Sequence, residues 1–241
     1  MPPVPSLSVV LPCFNEERNI AATLRDVEQW VVKSGIGTEI VAVDDGSTDG
    51  TLSVLQSLQT SLPGLRIVRH EKNQGYGLSV RTGCDAAQGE AIAFMDSDGQ
   101  FRAEDISRLL PHLDRFAFVT GRRRKRADPF IRRVFGKILG VMNLAVLGLW
   151  VRDVNCGMKV FRREIWPQIR PVHGVEKLFN TEMFLNLKRR GIPWYQVEVP
   201  HYPRRAGNPT GGSARVILRM FRELWDLKRR RSPTIPTMPK N

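Results

Sequence analysis

Five short apolar runs in the first half of the chain each close on a polar cluster, and stretches of helical period separate them. The runs are LSVVLP (Leu7 to Pro12), EIVAVD (Glu39 to Asp44), LRIVRH (Leu65 to His70), AIAFMD (Ala91 to Asp96) and FAFVTG (Phe116 to Gly121). This order is the pattern of βα units feeding a mostly parallel central sheet with flanking helices, an α/β fold. Ile20, Leu24, Val27 and Val31 recur at helical spacing and predict a helix with one buried face. Asp49 is placed to cap the next helix, and Ala103 to Leu113 is expected to be helical after the fourth strand. Later strands are expected at Gly157 to Phe161 and Trp194 to Pro200.

In open sheets of this kind, ligands sit beyond the carboxyl ends of the strands. NEERN, DDGSTDG, EKNQGYG, DSDGQ and GRRRKR follow the five runs in turn, so five polar loops are expected along one edge. That arrangement predicts a site.

The formal net charge of +13 predicts an anionic partner: nucleic acid, a phosphorylated substrate or an acidic lipid surface. Cys13, Cys84 and Cys156 are odd in number and far apart, which favours buried free thiols in a reducing compartment. The opening MPPVPSLSVV has no charged start, so no signal peptide is expected. The longest apolar stretch, Ile138 to Val151, has 14 residues. A bilayer span needs ~20, so it is expected to be a core or interfacial helix. A final amphipathic helix is expected from about Ser213 to Arg231, followed by a proline-rich tail.

Asp96 and Asp98 stand two apart at the end of a buried strand, and two carboxylates suit a hard cation such as Mg²⁺ or Mn²⁺. Gln100 can add a neutral oxygen; the plainer alternative is a turn set by Asp98 and Gly99. Asp44 or Asp45 can accept hydrogen bonds from a nucleobase or ribose, and the plainer role for Ser47 and Asp49 is helix capping. Gly121 to Arg133 carries seven basic residues and one acid. Such a run is either a solvated face or, beside an amphipathic segment, a surface for acidic headgroups.

VVLPCFNEERNI, VAVDDGSTDGT, NQGYGLSVRTGCDAAQGEAIAFMDSDGQ and DVNCGMKVFRREI, in that order, resemble the family-two glycosyltransferases with the GT-A fold. The likeness is to the dolichyl-phosphate mannose synthase and polyprenyl-phosphate glycosyltransferase branch, over about Leu7 to Arg205. It implies a catalytic domain over 5–205, a basic amphipathic helix over 206–231 and a tail over 232–241. The reaction implied is metal-dependent transfer of a hexose from a nucleotide sugar (GDP-mannose or UDP-glucose type) to dolichyl or polyprenyl phosphate, with inversion.

By the same resemblance, Pro12, Phe14, Glu16 and Asp44 would hold base and ribose, with Asp45 close by. Asp96, Asp98 and Gln100 would bind Mg²⁺ or Mn²⁺, and Arg122 would meet phosphate charge. Asp153 and Glu182 match acidic positions on the acceptor side. The usual R-x-x-G-x-S-K is stretched here to RRAGNPTGGSAR, which leaves Arg204 and Arg205 as alternatives for the phosphate role and ends in Ser213 and Arg215 without the lysine. A lipid phosphate needs no strong base; a hydroxyl acceptor, the alternative, would need Glu182 or Asp153 to take its proton. Some members of the branch carry two further membrane helices. No such run follows here, so the expectation is a chain on the cytoplasmic face, bound peripherally to an anionic membrane or leaning on a membrane-anchored partner.

Two rivals are weaker. A phosphohydrolase of the haloacid dehalogenase type places D-x-D-G after its first strand, not its fourth. A nucleic-acid binder would explain the charge but not the acidic loops, which repel a polyanion, so no nucleic acid is expected.

Overall fold

The computed structural model describes residues 6–124, 130–174, 178–204 and 224–229. Among the described residues seven strands form one sheet: β1 (Leu7–Cys13), β2 (Thr38–Asp44), β3 (Leu65–Arg69), β4 (Ala91–Met95), β5 (Phe118–Arg124), β6 (Met158–Arg162) and β7 (Trp194–Pro200). Their order is β3-β2-β1-β4-β6-β5-β7, and only β6 runs antiparallel to its neighbours. The helices are α1 (Ile20–Ser34), α2 (Thr51–Gln59), α3 (Tyr76–Ala86), α4 (Ile106–Leu109), α5 (Phe130–Leu147), α6 (Trp166–Ile169) and α7 (Phe179–Arg189).

Strand side chains alternate between faces, so the sheet feeds two cores. Val10, Val41, Val43, Phe94 and Phe161 pack with α3, α5, α6 and α7. Val9, Leu11, Ala42, Met95 and Val160 pack with α1, α2 and α4. Gly83 lets α3 lie close to the sheet: a Cβ there would sit 2.3 Å from Val10 Cγ1. The three thiols are free and buried, as the sequence predicts.

Several boundaries differ from the sequence expectation, each for a local reason. The segment after β4 breaks into a 3₁₀ turn (Ala103–Asp105), α4 and a second 3₁₀ turn (Leu110–Asp114). Pro111 cannot donate to a continuing helix. In α1 the inner place next to Val27 goes to Trp30, whose Nε1 donates to Ser107 Oγ at 2.8 Å, and Val31 lies at the margin. GRRRKR is not all loop: β5 runs on to Arg124 because β7 pairs with it as far as Arg124 opposite Pro200. Most of the apolar stretch belongs to α5, which ends at Leu147 just before Gly148, a left-handed glycine; Gly148 to Val151 lie beyond the helix. Of the expected terminal helix only 224–229 is described; it is helical, with Leu224 and Leu227 in the core. The rest of 206–231, and the tail, lie outside the described residues. Among the described residues no helix is long and apolar enough to cross a membrane.

Candidate active site

The loops after β1 and β2 are clipped together at the carboxyl edge of the sheet. Asn15 adopts a left-handed conformation (φ 54°), and its Oδ1 accepts the Thr48 amide at 2.8 Å. Its own amide donates to Ser47 Oγ at 3.0 Å, and the Glu16 amide donates to Thr51 Oγ1 at 2.8 Å. Asp49 accepts the Thr51 amide at 3.0 Å and the Glu17 amide at 3.2 Å; the N-cap of α2 is Gly50, not the expected Asp49, which ties the loops together just ahead of the helix. Phe14, just ahead of the clip, is 41% exposed.

Asp44 and Asp45 do different work. Asp45 is fully engaged in structure: its oxygens accept the Gln74 and Gly75 amides at 2.9 Å, and Oδ1 lies 2.7 Å from His70 Nδ1. His70 Nε2 in turn lies 3.0 Å from Thr82 Oγ1, so the acid braces the loop that opens α3. Asp44 is buried, and its Oδ1 accepts the Ser47 amide at 3.2 Å. Its Oδ2 has no hydrogen bond among the described residues, with Arg69 Nε 3.7 Å away. Pro12 is buried beneath and accepts from Ser97 Oγ at 2.7 Å.

Asp96 and Asp98 hang from the end of β4. The Asp96 amide donates to the Gly157 carbonyl at 3.1 Å, and a Cβ on Gly157 would fall 1.9 Å from Asp96 Oδ2, so any side chain there would push the carboxylate aside. Burial and the neighbouring Asp98 push the Asp96 carboxyl up to about 7, against the Tyr76 hydroxyl and the charges of Arg123 and Lys159. Its Oδ1 is buried with no hydrogen-bond partner among the described residues. Asp98 Oδ1 accepts the Gln100 amide at 3.0 Å. Two acids with a buried oxygen unsatisfied fit a divalent cation. Among the described residues no group of three or more His, Cys, Asp or Glu could hold a metal, so substrate oxygens and water would complete the shell.

Arg204 lies across this loop. Its Nη1 donates to Asp98 Oδ2 at 3.3 Å and its Nη2 to Glu16 Oε1. Asn19 Nδ2 donates to Glu16 Oε2 at 2.5 Å, and burial raises the Glu16 carboxyl against Asn19 and Arg204. Gln100 faces the same strap: its Nε2 donates to the Tyr202 carbonyl at 3.3 Å.

The remaining expected residues are placed as follows. Arg122 pairs with Glu198, directly across from it on β7. Its neighbour Arg123 points the other way and grips Asp153 through Nε at 2.8 Å and Nη2 at 2.7 Å. Glu182 accepts amides from Val172 and His173 at 2.9 Å and from Gly174, closing a turn ahead of α7. Arg205 and Ser213 lie outside the described residues.

Three residues near the acids were missed by sequence reasoning. Tyr76 bonds to Asp96, and burial together with that acid raises its phenol well above the usual range. Arg123 faces the cluster from the opposite side of β5 to Arg122, and strand alternation past Gly121 is the signal that separates the two. Lys159 is buried on β6, donates to the Cys156 carbonyl at 2.5 Å, and sits 5.0 Å from the Phe94 ring centre. Burial lowers its ammonium to about 8.

Residues 8–170 match the family described as glycosyl transferase family 2. A dodecaprenyl-phosphate galacturonate synthase of Rhizobium johnstonii is 32% identical over 92% of this chain and 65% of its own length. A dolichyl-phosphate beta-glucosyltransferase of Trichomonas vaginalis is 28% identical over 90% of this chain and 68% of its own. The chain therefore spans about two thirds of the length of these curated relatives. In fold it is similar to glucosyl-3-phosphoglycerate synthase from Mycobacterium tuberculosis, crystallised with Mn²⁺, UDP and phosphoglyceric acid. The TM-score is 0.69 at 21% identity, over 95% of this chain and 80% of that one.

Proposed function

The chain belongs to glycosyl transferase family 2, and from that premise we propose that it moves a hexose from a nucleotide sugar of the GDP-mannose or UDP-glucose type to a dolichyl- or polyprenyl-phosphate acceptor, with inversion. The observation that carries the reading is the acid pair Asp96 and Asp98 at the end of β4, with a buried and unsatisfied Asp96 oxygen. Prenyl phosphates in the names of both relatives support the acceptor class.

In this reading Asp44, buried beneath the clip, turns its free Oδ2 to the base or ribose, and the exposed Phe14 ring covers the base. Asp96 and Asp98 would hold Mg²⁺ or Mn²⁺, which would supply charge neutralisation for the departing diphosphate. Tyr76 and Gly157 fix the Asp96 carboxylate against its backbone neighbours. Arg204, beside Asp98, adds cationic stabilisation where charge develops. A lipid phosphate is already an anion at neutral pH, so positioning does most of the remaining work. Glu182 is occupied by three amides and Asp153 by Arg123, which favours a phosphate acceptor over a hydroxyl needing a base.

The surface supports work at a membrane. Val141, Leu144 and Trp150 are exposed on α5 and the turn after it, with Trp150 at 63%. Lys188 Nζ donates to the Leu147 and Gly148 carbonyls, and Arg189 Nη2 donates to the Leu227 carbonyl. Those bonds bring basic side chains between α5 and the 224–229 turn. There Trp225 is 47% exposed, with Lys228 and Arg229 within 5.2 and 5.5 Å of its ring centre. Tryptophans beside lysines and arginines suit an anionic headgroup layer. The chain would then act from the cytoplasmic face, as a peripheral protein or beside a membrane-anchored partner.

The test supplies labelled UDP- and GDP-sugars, Mn²⁺ and polyprenyl phosphate in anionic vesicles. Label passing into the organic phase as lipid-linked sugar is the expected result. Transfer only to a hydroxyl acceptor would remove the lipid-phosphate part, and no transfer from any nucleotide sugar would remove the whole reading.

A further inference from the structure

The acid loop and the segment after β7 are stitched together. The Tyr202 amide donates to the Gln100 carbonyl at 3.0 Å, while Gln100 Nε2 returns to the Tyr202 carbonyl at 3.3 Å. Two residues on, this strap delivers the Arg204 guanidinium to both Glu16 and Asp98. Asp98 thus has one oxygen on the Gln100 amide and the other on Arg204. A divalent cation ligated by Asp98 draws on the same carboxylate charge that holds Arg204, and two cations on one carboxylate repel each other. Glu16 keeps its second oxygen on Asn19, so the guanidinium retains an anchor when its hold on Asp98 loosens.

From this geometry we infer that Arg204 is an exchanging cation: it holds Asp98 before the metal arrives, and passes its Nη1 donors to the diphosphate that the metal brings, while staying tied to Glu16. The inference rests on the proposed transferase reading for the identity of that anion. Its consequence is cooperativity. Metal alone must displace Arg204 without compensation and binds weakly, whereas metal with a nucleoside diphosphate gives the displaced guanidinium a new anionic partner. The residue is a binding and coupling group, and its removal should move the two affinities in opposite directions.

The experiment follows free Mn²⁺ by electron paramagnetic resonance during titration of the full chain, alone and with UDP or GDP. Arg204→Gln is expected to tighten binding of Mn²⁺ alone by about three- to tenfold, because it removes a competing cation. It should also lose most of the enhancement that the nucleotide produces in wild type. Arg204→Lys, whose single ammonium cannot span both carboxylates, is expected to move each affinity in the direction that Arg204→Gln does, by a smaller factor; it carries the test should the glutamine variant not fold. Mn²⁺ binding alone that is unchanged or weaker in both variants overturns the exchange. If UDP and GDP enhance Mn²⁺ binding in wild type and equally in the variants, the transferase reading stands and the exchange falls. If neither nucleotide enhances Mn²⁺ binding in wild type, it is the transferase reading that falls, and the exchange with it.

Discussion

Asp96 concentrates the tension of the site in one side chain. It is held against the Gly157 backbone, bonded by Tyr76 and pressed by Asp98, and burial lifts its carboxyl from 3.8 to about 7. A carboxyl raised in the folded state binds a proton more readily there than in the unfolded chain. Its contribution to stability is therefore complete below about pH 4 and lost as pH rises toward 7. In metal-free solution, wild type should lose stability relative to Asp96→Asn across that window. Mn²⁺ affinity should run the other way, falling by up to about tenfold per pH unit below 7 as protons compete with the cation. Parallel thermal-melt profiles for the two proteins from pH 4 to 7 would refute this account of Asp96.

At the scale of elements, the site is assembled by β6, the one strand running against its neighbours. Its approach loop brings Gly157 beneath Asp96 and Asp153 onto Arg123 of β5. Both partners of that ion pair are largely buried, so removing one strands the other charge. Asp153→Ala should cost about 3–5 kcal/mol, read as a lowered urea midpoint at unchanged slope; a loss below about 1 kcal/mol would show that the pair is not buried in solution. The strands that frame this site were legible because apolar runs ending in polar clusters are a local signal. The far end of β5 was not. Arg122 to Arg124 read as loop by composition, and only pairing with β7 makes them strand. The acids of the second and fourth loops stood out for their position after strands. Tyr76 and Lys159 left no such mark, since an aromatic in a turn and a lysine in a strand become site residues only through tertiary approach. The amides that Glu182 accepts, from the folded-back 172–174 turn, left no mark in the sequence either, since that turn is set by tertiary approach.

Over the whole molecule, a charge of +13 coexists with an acidic pocket. The two are reconciled if the acids are reserved for a cation and the bases face outward. Exposed Trp150 and Trp225, with Lys228 and Arg229 beside the latter, give the outer surface both an apolar and a cationic component. Sedimentation with anionic vesicles should therefore weaken with salt and fall several-fold in Trp150→Ser at fixed ionic strength. Equal sedimentation with neutral and anionic vesicles would exclude the charge component, and an unaffected Trp150→Ser would exclude this face. The central claim is that Asp96 and Asp98 hold a cation that grips a nucleoside diphosphate. Thermal melting with UDP or GDP, with and without Mn²⁺, tests it most directly. Stabilisation should require metal and nucleotide together and vanish in Asp98→Asn; stabilisation by nucleotide without metal, or its persistence in Asp98→Asn, would contradict it.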